Sequence, residues 1–467
     1  MNKPKNDQVV PVNSARNFFL FVTAGLFLFA MGSLLQVWGN WHHSAVVIRW
    51  SGLFLLAGAG IKRRSLTYWI FFAMFFGLEI GLDSPQFAEH LRVLSDIFLR
   101  LIKVIVAPLI LGTLITGIAG HGNLKSVGRL GLKSLIYFEV VTTFALLIGV
   151  AAINISGAGK GLVIPQNSNL PAPVAAAPMH WDDFLLHVFP ENIVKSVAEN
   201  QILQVAVFAV LFAIALTLIP KEKGAPILNF AEALAQTMFS FTNIVMYYAP
   251  IGVGAAMAYT VGHMGAGVLW PLGKLLLTAY VALIAFILMI LLPVAVIARI
   301  PLGRFLKAVA EPATIAFATS TSEAALPRAM EAMEEFGVPR RIVSFVIPAG
   351  YSFNLDGSTL YLALASIFVA QAAGIEMSWS AQLLMIFTLM LTSKGVAGVP
   401  RAVLVVLLAM AATFHLPTEP IFLILGVDAL IDMARTSVNV IGNCLACAVM
   451  ARWEGELETT PSNLPVS

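Results

Sequence analysis

The sequence predicts an all-α polytopic membrane protein. Of its 467 residues, 59% are hydrophobic and 11% are charged, and the mean hydropathy is +0.87, whereas soluble domains carry about 25% charged residues. Apolar runs long enough to cross about 30 Å of hydrocarbon, roughly 20 residues each as helix, recur along nearly the whole chain. The net charge is only +3. Its basic residues sit in short clusters between apolar runs, so they read as topology signals and imply no nucleic-acid partner.

The first apolar run, Phe18 to Trp38, follows a leader containing Lys3, Lys5 and Arg16. It is too long for a signal-peptide core and no small-x-small cleavage site follows, so it reads as a retained helix. Further apolar spans fall near 45 to 61, 67 to 82, 97 to 119, 132 to 155, 203 to 219, 227 to 258 and 268 to 298, with four more segments by 452. With a cytoplasmic N-terminus, Lys62, Arg63 and Arg64, then Lys125, Arg129 and Lys133, then Lys221 and Lys223 all land inside, as the positive-inside rule requires. Arg299, Arg304 and Lys307 continue the pattern, but Arg340 and Arg341 then also fall inside. Residues 308 to 339 are left no single crossing, and a re-entrant hairpin from the cytoplasmic side resolves the count.

That segment has a polar, helix-breaking middle, AFATSTSEAALP (316 to 327), between apolar arms. A second, 380 to 416, has the middle TSKGVAGVP (392 to 400). Each precedes a spanning helix with polar residues at mid-depth, so the expected plan is hairpin and interrupted helix, twice, as an inverted repeat. Pairs of interrupted segments of this kind mark a substrate site near the midplane, since freed backbone has to line a protein-buried or watery cavity. Gly157 to Pro178 reads as an extracellular loop.

The first interrupted helix contains Asn354, Leu355, Asp356, Gly357 and Ser358 inside an apolar run. Asn, Asp and Gly there favour turn over helix interior, and unwound carbonyls with the Asp356 carboxylate supply what a coupling cation or proton needs. An ordinary interhelical loop is the plainer alternative. The last helix, Glu419 to Trp453, holds Asp428, Asp432, Arg435, Thr436, Asn439 and Asn443. At about 100° per residue, with Asp428 at zero, Asp432 lies near about 40°, Arg435 about −20°, Asn439 about 20° and Asn443 about 60°, all on one face. A structural salt bridge with polar glue between helices is the simpler reading. Three central charges, each costing about 2.5 to 3.5 kcal/mol on insertion scales, argue for a site instead. A guanidinium grips a carboxylate bidentately and a carboxylate one turn away suits an ammonium, so Arg435 and Asp432 match the two ends of an acidic amino acid. Backbone N–H donors at the hairpin tips would hold the remaining carboxylate, with Thr321 and Ser322 on the first tip and Gly395 to Gly398 on the second.

At these residues the sequence resembles the dicarboxylate/amino acid:cation symporter family, over about residues 67 to 455. The motifs are TSTSEAALP, NLDGS, SKGVAGVP and DALIDMARTSVNVIGN (428 to 443). The resemblance implies the glutamate-transporter fold, with two re-entrant hairpins and two interrupted helices, plus two extra N-terminal helices in residues 1–66. It further implies that 67–300 hold the first six family helices, mostly a trimerisation scaffold, that 301–455 are the transport core and that 456–467 are a cytoplasmic tail. A homotrimer in the cell inner membrane, working by an elevator movement, follows from the same likeness. Asp432 then resembles the amino-group ligand, Arg435 the side-chain carboxylate ligand, and Thr436 and Asn439 further substrate contacts. Thr321, Ser322, Val396, Ala397 and Gly398 match the hairpin tips.

Dicarboxylate carriers of the family usually lack the aspartate and neutral amino acid carriers the arginine, so the resemblance points to glutamate or aspartate, with a dicarboxylate as runner-up. Asn443 and Leu355 stand where sodium-coupled members typically carry aspartate and methionine, which favours H+ over Na+. Leu362 stands where proton-handling animal relatives have glutamate. Glu139, in YFEVVTTFALL (137 to 147), is then the expected proton carrier, its pKa raised by burial; a salt bridge to Lys103 or Lys394 is the structural alternative, and Glu323 and Asp428 are rivals. Asn354, Asp356 and Asn443 complete the coupling set.

Arg401 follows the second tip with no role the sequence assigns. His42 and His43, without further ligands, read as solvated, and no metal or organic cofactor is expected. Cys444 and Cys447 read as two small core side chains. A membrane-embedded hydrolase is disfavoured because no H-E-x-x-H or G-x-S-x-G occurs. A zwitterion-matched site suits alternating access better than a channel.

Overall fold

The computed structural model describes residues 12–38, 42–62, 65–120, 124–162, 186, 189–199, 201–392, 402–414 and 416–457. The described elements are helical throughout, and six helical segments, Ser44–Ile61, Leu66–Asp83, Pro85–Ala119, Arg129–Ser156, Ala266–Ile297 and Arg340–Ala372, are long and apolar enough to cross a membrane. The chain is thus a multi-pass membrane protein. It divides into two units, one of Met1–Ser95 with Ala249–Gly265, the other of Asp96–Tyr248 with Ala266–Ser467.

The first unit holds α1 (Val12–Trp38), α2 (His42–Lys62), α3 (Leu66–Asp83), α4 (Pro85–His90) and α10 (Ala249–Met264). Ser65 caps α3 by accepting from the Tyr68 amide, one of the four donors every helix start leaves orphaned. α3 and α10 approach closely at Gly77, where an added Cβ would lie 2.0 Å from the Gly254 carbonyl oxygen. Only a residue without a side chain fits there.

The second unit begins with α5 (Arg92–Ala119, its first residues shared with the first unit), α6 (Leu124–Ser156), α7 (Ile193–Ala198), α8 (Ile202–Leu218) and α9 (Lys221–Met246). The single span expected over 227 to 258 is two helices, α9 and α10, parted at Tyr247–Tyr248. Pro250, which lacks an amide hydrogen, follows directly and suits a helix start. α11 (Leu269–Phe286) passes through a π-helical turn at Ile287–Leu291 into α12 (Leu292–Ile297). Pro293 withholds one donor just there, and a π-turn is the usual accommodation of a disturbed helical ladder.

Beyond residue 300 come α13 (Leu302–Thr319), α14 (Ser322–Phe336), α15 (Arg340–Phe353), α16 (Asp356–Ala372), α17 (Trp379–Thr392), α18 (Ala402–Thr413) and α19 (Glu419–Trp453). The polar middle expected over 316 to 327 is non-helical at Ser320 and Thr321 alone. Ser320 adopts φ 54°, the left-handed conformation that ends α13, and Thr321 Oγ1 caps α14 by accepting from Ala324 N. The second arm is also less apolar than expected, since Arg328 pairs with Glu311 and Glu331 on its exposed face. The interruption at Asn354 and Leu355 stands where the sequence puts it. The second interrupted helix does not: α19 runs unbroken for 35 residues. Its charged groups answer one another along one face, so no backbone break is needed to satisfy them.

α19 is the axis of this unit, buried along most of its length, with α11, α13, α15 and α16 packed on it and α6 packed on α16. Tyr280 donates to the Leu430 carbonyl at 2.8 Å and Ser437 to the Ala313 carbonyl at 3.0 Å. At its end, Glu454 accepts from Lys133 at 2.7 Å and also from Arg129, while Arg341 Nε donates to Glu456 at 3.0 Å. Cys444 and Cys447 are buried thiols within α19.

The Lys133 and Arg129 hydrogen bonds pull the Glu454 carboxyl from its ordinary 4.5 down to about 2. A depressed carboxylate contributes stability that is present above the unfolded value and lost as pH falls through the folded one. The thermal stability advantage of the native chain over Glu454→Gln, measured in detergent, is therefore expected to be constant above pH 4.5 and to shrink between pH 4.5 and 2. A pH-independent difference between the two would contradict this pairing.

Candidate functional site

Two polar clusters lie one above the other along the buried face of α19. The first is built on Arg435, whose side chain is 1% exposed. Its Nε and Nη2 both lie 2.8 Å from Asp432 Oδ1, and Nη1 donates to Asp428 Oδ1 at 3.2 Å. Thr436 Oγ1 donates to the same Asp432 oxygen at 3.3 Å. From α16, the fully buried Tyr361 lays its ring under the guanidinium, 4.9 Å from centroid to Cζ. Positions 428, 432 and 435 stand one and two turns apart, so the face read from the sequence is physically a chelate of one cation by two anions. Its formal charge is −1. That excess favours a further positive group, because a buried carboxylate is stable only with a partner.

The second cluster joins α19 to the break between α15 and α16. Asn354 Nδ2 donates to Asp356 Oδ2 at 3.0 Å and to Asn443 Oδ1 at 3.2 Å. Asn354 Oδ1 and Asn443 Nδ2 make no hydrogen bond among the described residues. All three residues are fully buried. The Asn354 amide here does part of what a bound cation would do: it presents its N–H groups to the Asp356 carboxylate and to the Asn443 side-chain oxygen.

Asn439 connects the clusters. Its Oδ1 accepts from the amides of Gly357 at 2.8 Å and Ser358 at 3.2 Å, and its Nδ2 donates to Ser358 Oγ at 2.9 Å. The start of α16 is therefore capped by a residue of another helix. Backbone closeness makes this possible: a Cβ on Gly357 would lie 2.3 Å from the Arg435 carbonyl oxygen, and one on Gly442 would lie 2.2 Å from Asp356 Oδ2.

Of the residues expected from sequence, Asp428, Asp432, Arg435 and Thr436 come together in the first cluster, and Asn354, Asp356, Asn439 and Asn443 in or beside the second. Thr321 is the α14 cap, and Ser322, next to it, is buried. Glu323 lies in the first turn of α14, its side chain outside the described residues; Val396, Ala397, Gly398, Lys394 and Arg401 also lie outside them. Glu139 departs from the expectation in one respect: on α6 it is partly exposed, not buried within the chain. Tyr361 is the residue sequence reasoning missed. One aromatic among apolar residues carries no signal until Arg435 is seen above it.

The family model of the sodium:dicarboxylate symporter family matches residues 66–453. The chain belongs to this family. It is accordingly a transporter and not an enzyme. The symporter is 42% identical to the proton/sodium-glutamate symport protein of Bacillus caldotenax over 405 residues, covering 85% of this chain and 96% of that one. It is 40% identical to the proton/glutamate-aspartate symporter of Escherichia coli (strain K12) over 410 residues, 84% of this chain and 94% of the relative. It is also 41% identical to the C4-dicarboxylate transport protein of Burkholderia ambifaria (strain MC40-6) over 395 residues, 83% and 92% of the two chains.

Proposed function

We propose that this chain is a secondary active symporter importing glutamate or aspartate together with protons. The observation that carries the reading is that Arg435 and Asp432 pair with each other within the buried face of α19. An acidic amino acid exchanges both halves of that pair. Its distal carboxylate takes the guanidinium, its ammonium takes Asp432, and no buried charge is left alone. A C4-dicarboxylate fills only the first half and strands Asp432, at the cost of an unpaired buried anion. The relatives named for C4-dicarboxylates make that the second reading, and Asp432 argues against it.

Proton coupling is supported by the second cluster. A carboxylate at Asn443 would add the charge that holds a sodium ion among Asp356 and unwound carbonyls; an amide brings N–H groups and no charge. Glu139 is the assigned proton carrier, with Glu323 and Asp428 as alternatives. No redox or organic cofactor enters the reading.

In the proposed architecture, α13 with α14 and α17 with α18 are re-entrant hairpins, each followed by a polar spanning helix, the first interrupted and the second continuous, as two inverted repeats. Residues 301–455 form the moving core, and α6 and α11, which pack on α16 and α19, travel with it. The rest of 67–300 provides the scaffold of a homotrimer in the cell inner membrane, 1–66 add two helices, 456–467 form a cytoplasmic tail, and the core moves by an elevator step.

The test is uptake of labelled aspartate, glutamate and succinate into proteoliposomes under an imposed proton gradient and then under a sodium gradient. Concentrative uptake of the amino acids driven by the proton gradient is expected. Uptake that follows sodium and ignores pH would overturn proton coupling, and preference for succinate would overturn the substrate. Glu139→Gln is expected to lose proton-driven accumulation while keeping exchange; an unchanged pH dependence moves the carrier to Glu323 or Asp428.

A further inference from the structure

The region matched by the family begins at residue 66, and the relatives above align with 83 to 85% of this chain. The helices α1 and α2 precede the matched region. Within the first unit α2 is seated along the length of α3, and α1, packed on α2, reaches α3 at Phe29. At one end, Tyr68 of α3 donates to the Leu56 carbonyl of α2 at 2.5 Å. In the middle, Phe29, Leu53 and Leu56 form a buried apolar cluster against which Phe72, Phe75 and Leu78 of α3 pack, with the Phe29 and Phe75 rings edge-on at 5.3 Å. At the other end is an ion cluster. Arg49 of α2 is 0% exposed, and so is Glu79 of α3. Arg49 Nε lies 2.8 and 2.9 Å from the two Glu79 oxygens, and Nη2 donates to Asp83 Oδ1 at 3.0 Å. Trp50 Nε1 reaches the other Asp83 oxygen at 2.9 Å.

This arrangement divides the charges unevenly between the two parts of the chain. Both carboxylates belong to α3, inside the family region, and the guanidinium comes from outside it. Glu79 faces the protein interior in the last turns of a spanning helix, where a lone carboxylate is costly. Removing the cation of a buried pair is worse than never having made it.

We infer that the α1–α2 pair is an intramembrane clamp, locked onto α3 by Arg49 against Glu79 and Asp83, and that the α3 body of this symporter depends on the pair for its counter-charge. The two helices are thus a working part of the unit that contains α3 and α10. The inference is independent of substrate and coupling ion.

The experiment uses the full chain with a protease site inserted between Lys62 and Ser65. The protein is purified in mild detergent and cut, and release of the N-terminal fragment is followed by size-exclusion chromatography. The fragment is expected to stay on the native body. Arg49→Met is expected to speed its release about tenfold or more, and the exchange Arg49→Glu with Glu79→Arg to restore retention. Because Arg49→Met leaves a buried acid and can unfold the body, the uncharged triple variant Arg49→Met, Glu79→Gln, Asp83→Asn is measured beside it, and faster release is expected there too. Prompt loss of the fragment from the native chain overturns the clamp. Retention by the single and triple variants equal to the native chain, or a monodisperse charge-exchange protein that still sheds the fragment, overturns the ion lock.

Discussion

Uptake of acidic amino acids is expected to vanish in Arg435→Cys, falling at least about a hundredfold in proteoliposomes. Deleting the cation of a buried pair costs about 3–5 kcal/mol, and each 1.4 kcal/mol is about tenfold. Here the loss counts twice: under the proposed assignment the substrate's distal carboxylate loses its clamp, and Asp428 and Asp432 are left facing each other around a void. Arg435→Lys separates charge from shape. It keeps a cation but loses the planar fork that reaches Asp432 through two nitrogens and Asp428 through a third, so partial activity is expected. Asp432→Asn supplies the complementary arm, since it removes the proposed ammonium partner and leaves Arg435 with Asp428 as its one carboxylate in the cluster. Glutamate transport should fall by a similar factor while succinate transport is retained or rises. Normal glutamate uptake by Arg435→Cys would sink the ligand assignment.

Gly357→Ala is expected to be nearly as damaging, although it adds one methyl group. The added Cβ would stand 2.3 Å from the Arg435 carbonyl oxygen and 2.9 Å from its Cα. Both are backbone atoms of a buried helix, which cannot swing aside as a side chain can. Relief has to come from pushing the start of α16 off α19, which stretches the Asn439 hydrogen bonds to Gly357 and Ser358. Overpacking of this kind costs about 1–3 kcal/mol, so a lower unfolding temperature and at least about a tenfold loss of transport are expected. Gly303→Ala, where nothing lies within 4 Å of the added Cβ, is the control and should behave as the native chain. Full activity in Gly357→Ala would refute the close approach.

Those features legible in the sequence were the ones written in local chemistry. The last helix is legible over roughly 419 to 453 because apolar residues persist there, and its polar face follows from a period of 3.6. The break at Asn354 shows as turn-forming residues inside an apolar run. The split of the 227 to 258 span is not visible in that way, because Tyr247 and Tyr248 are as apolar as their neighbours and only Pro250 hints at a new start. Likewise, the sequence places Arg435, Asp432 and Asp428 on one side of a helix but not in contact with one another. An open row of ligands and a closed ion cluster have the same spacing. The second interrupted helix fails for that reason, since charges that neutralise one another need no unwound backbone. Tyr361, the partial exposure of Glu139 and the pairing of Arg49 with Glu79 across 30 residues are tertiary facts with no local trace.

The cap that Asn439 places on α16 ties two helices through one amide. α16 cannot tilt away from α19 without turning two backbone N–H groups into bare donors in a water-poor interior. The cluster around Arg435 and the cluster around Asn354 are therefore geared together. In the proposed reading, with one cluster holding the amino acid and the other the coupling site, such a tie is the mechanical condition for a carrier whose two cargoes do not slip past each other.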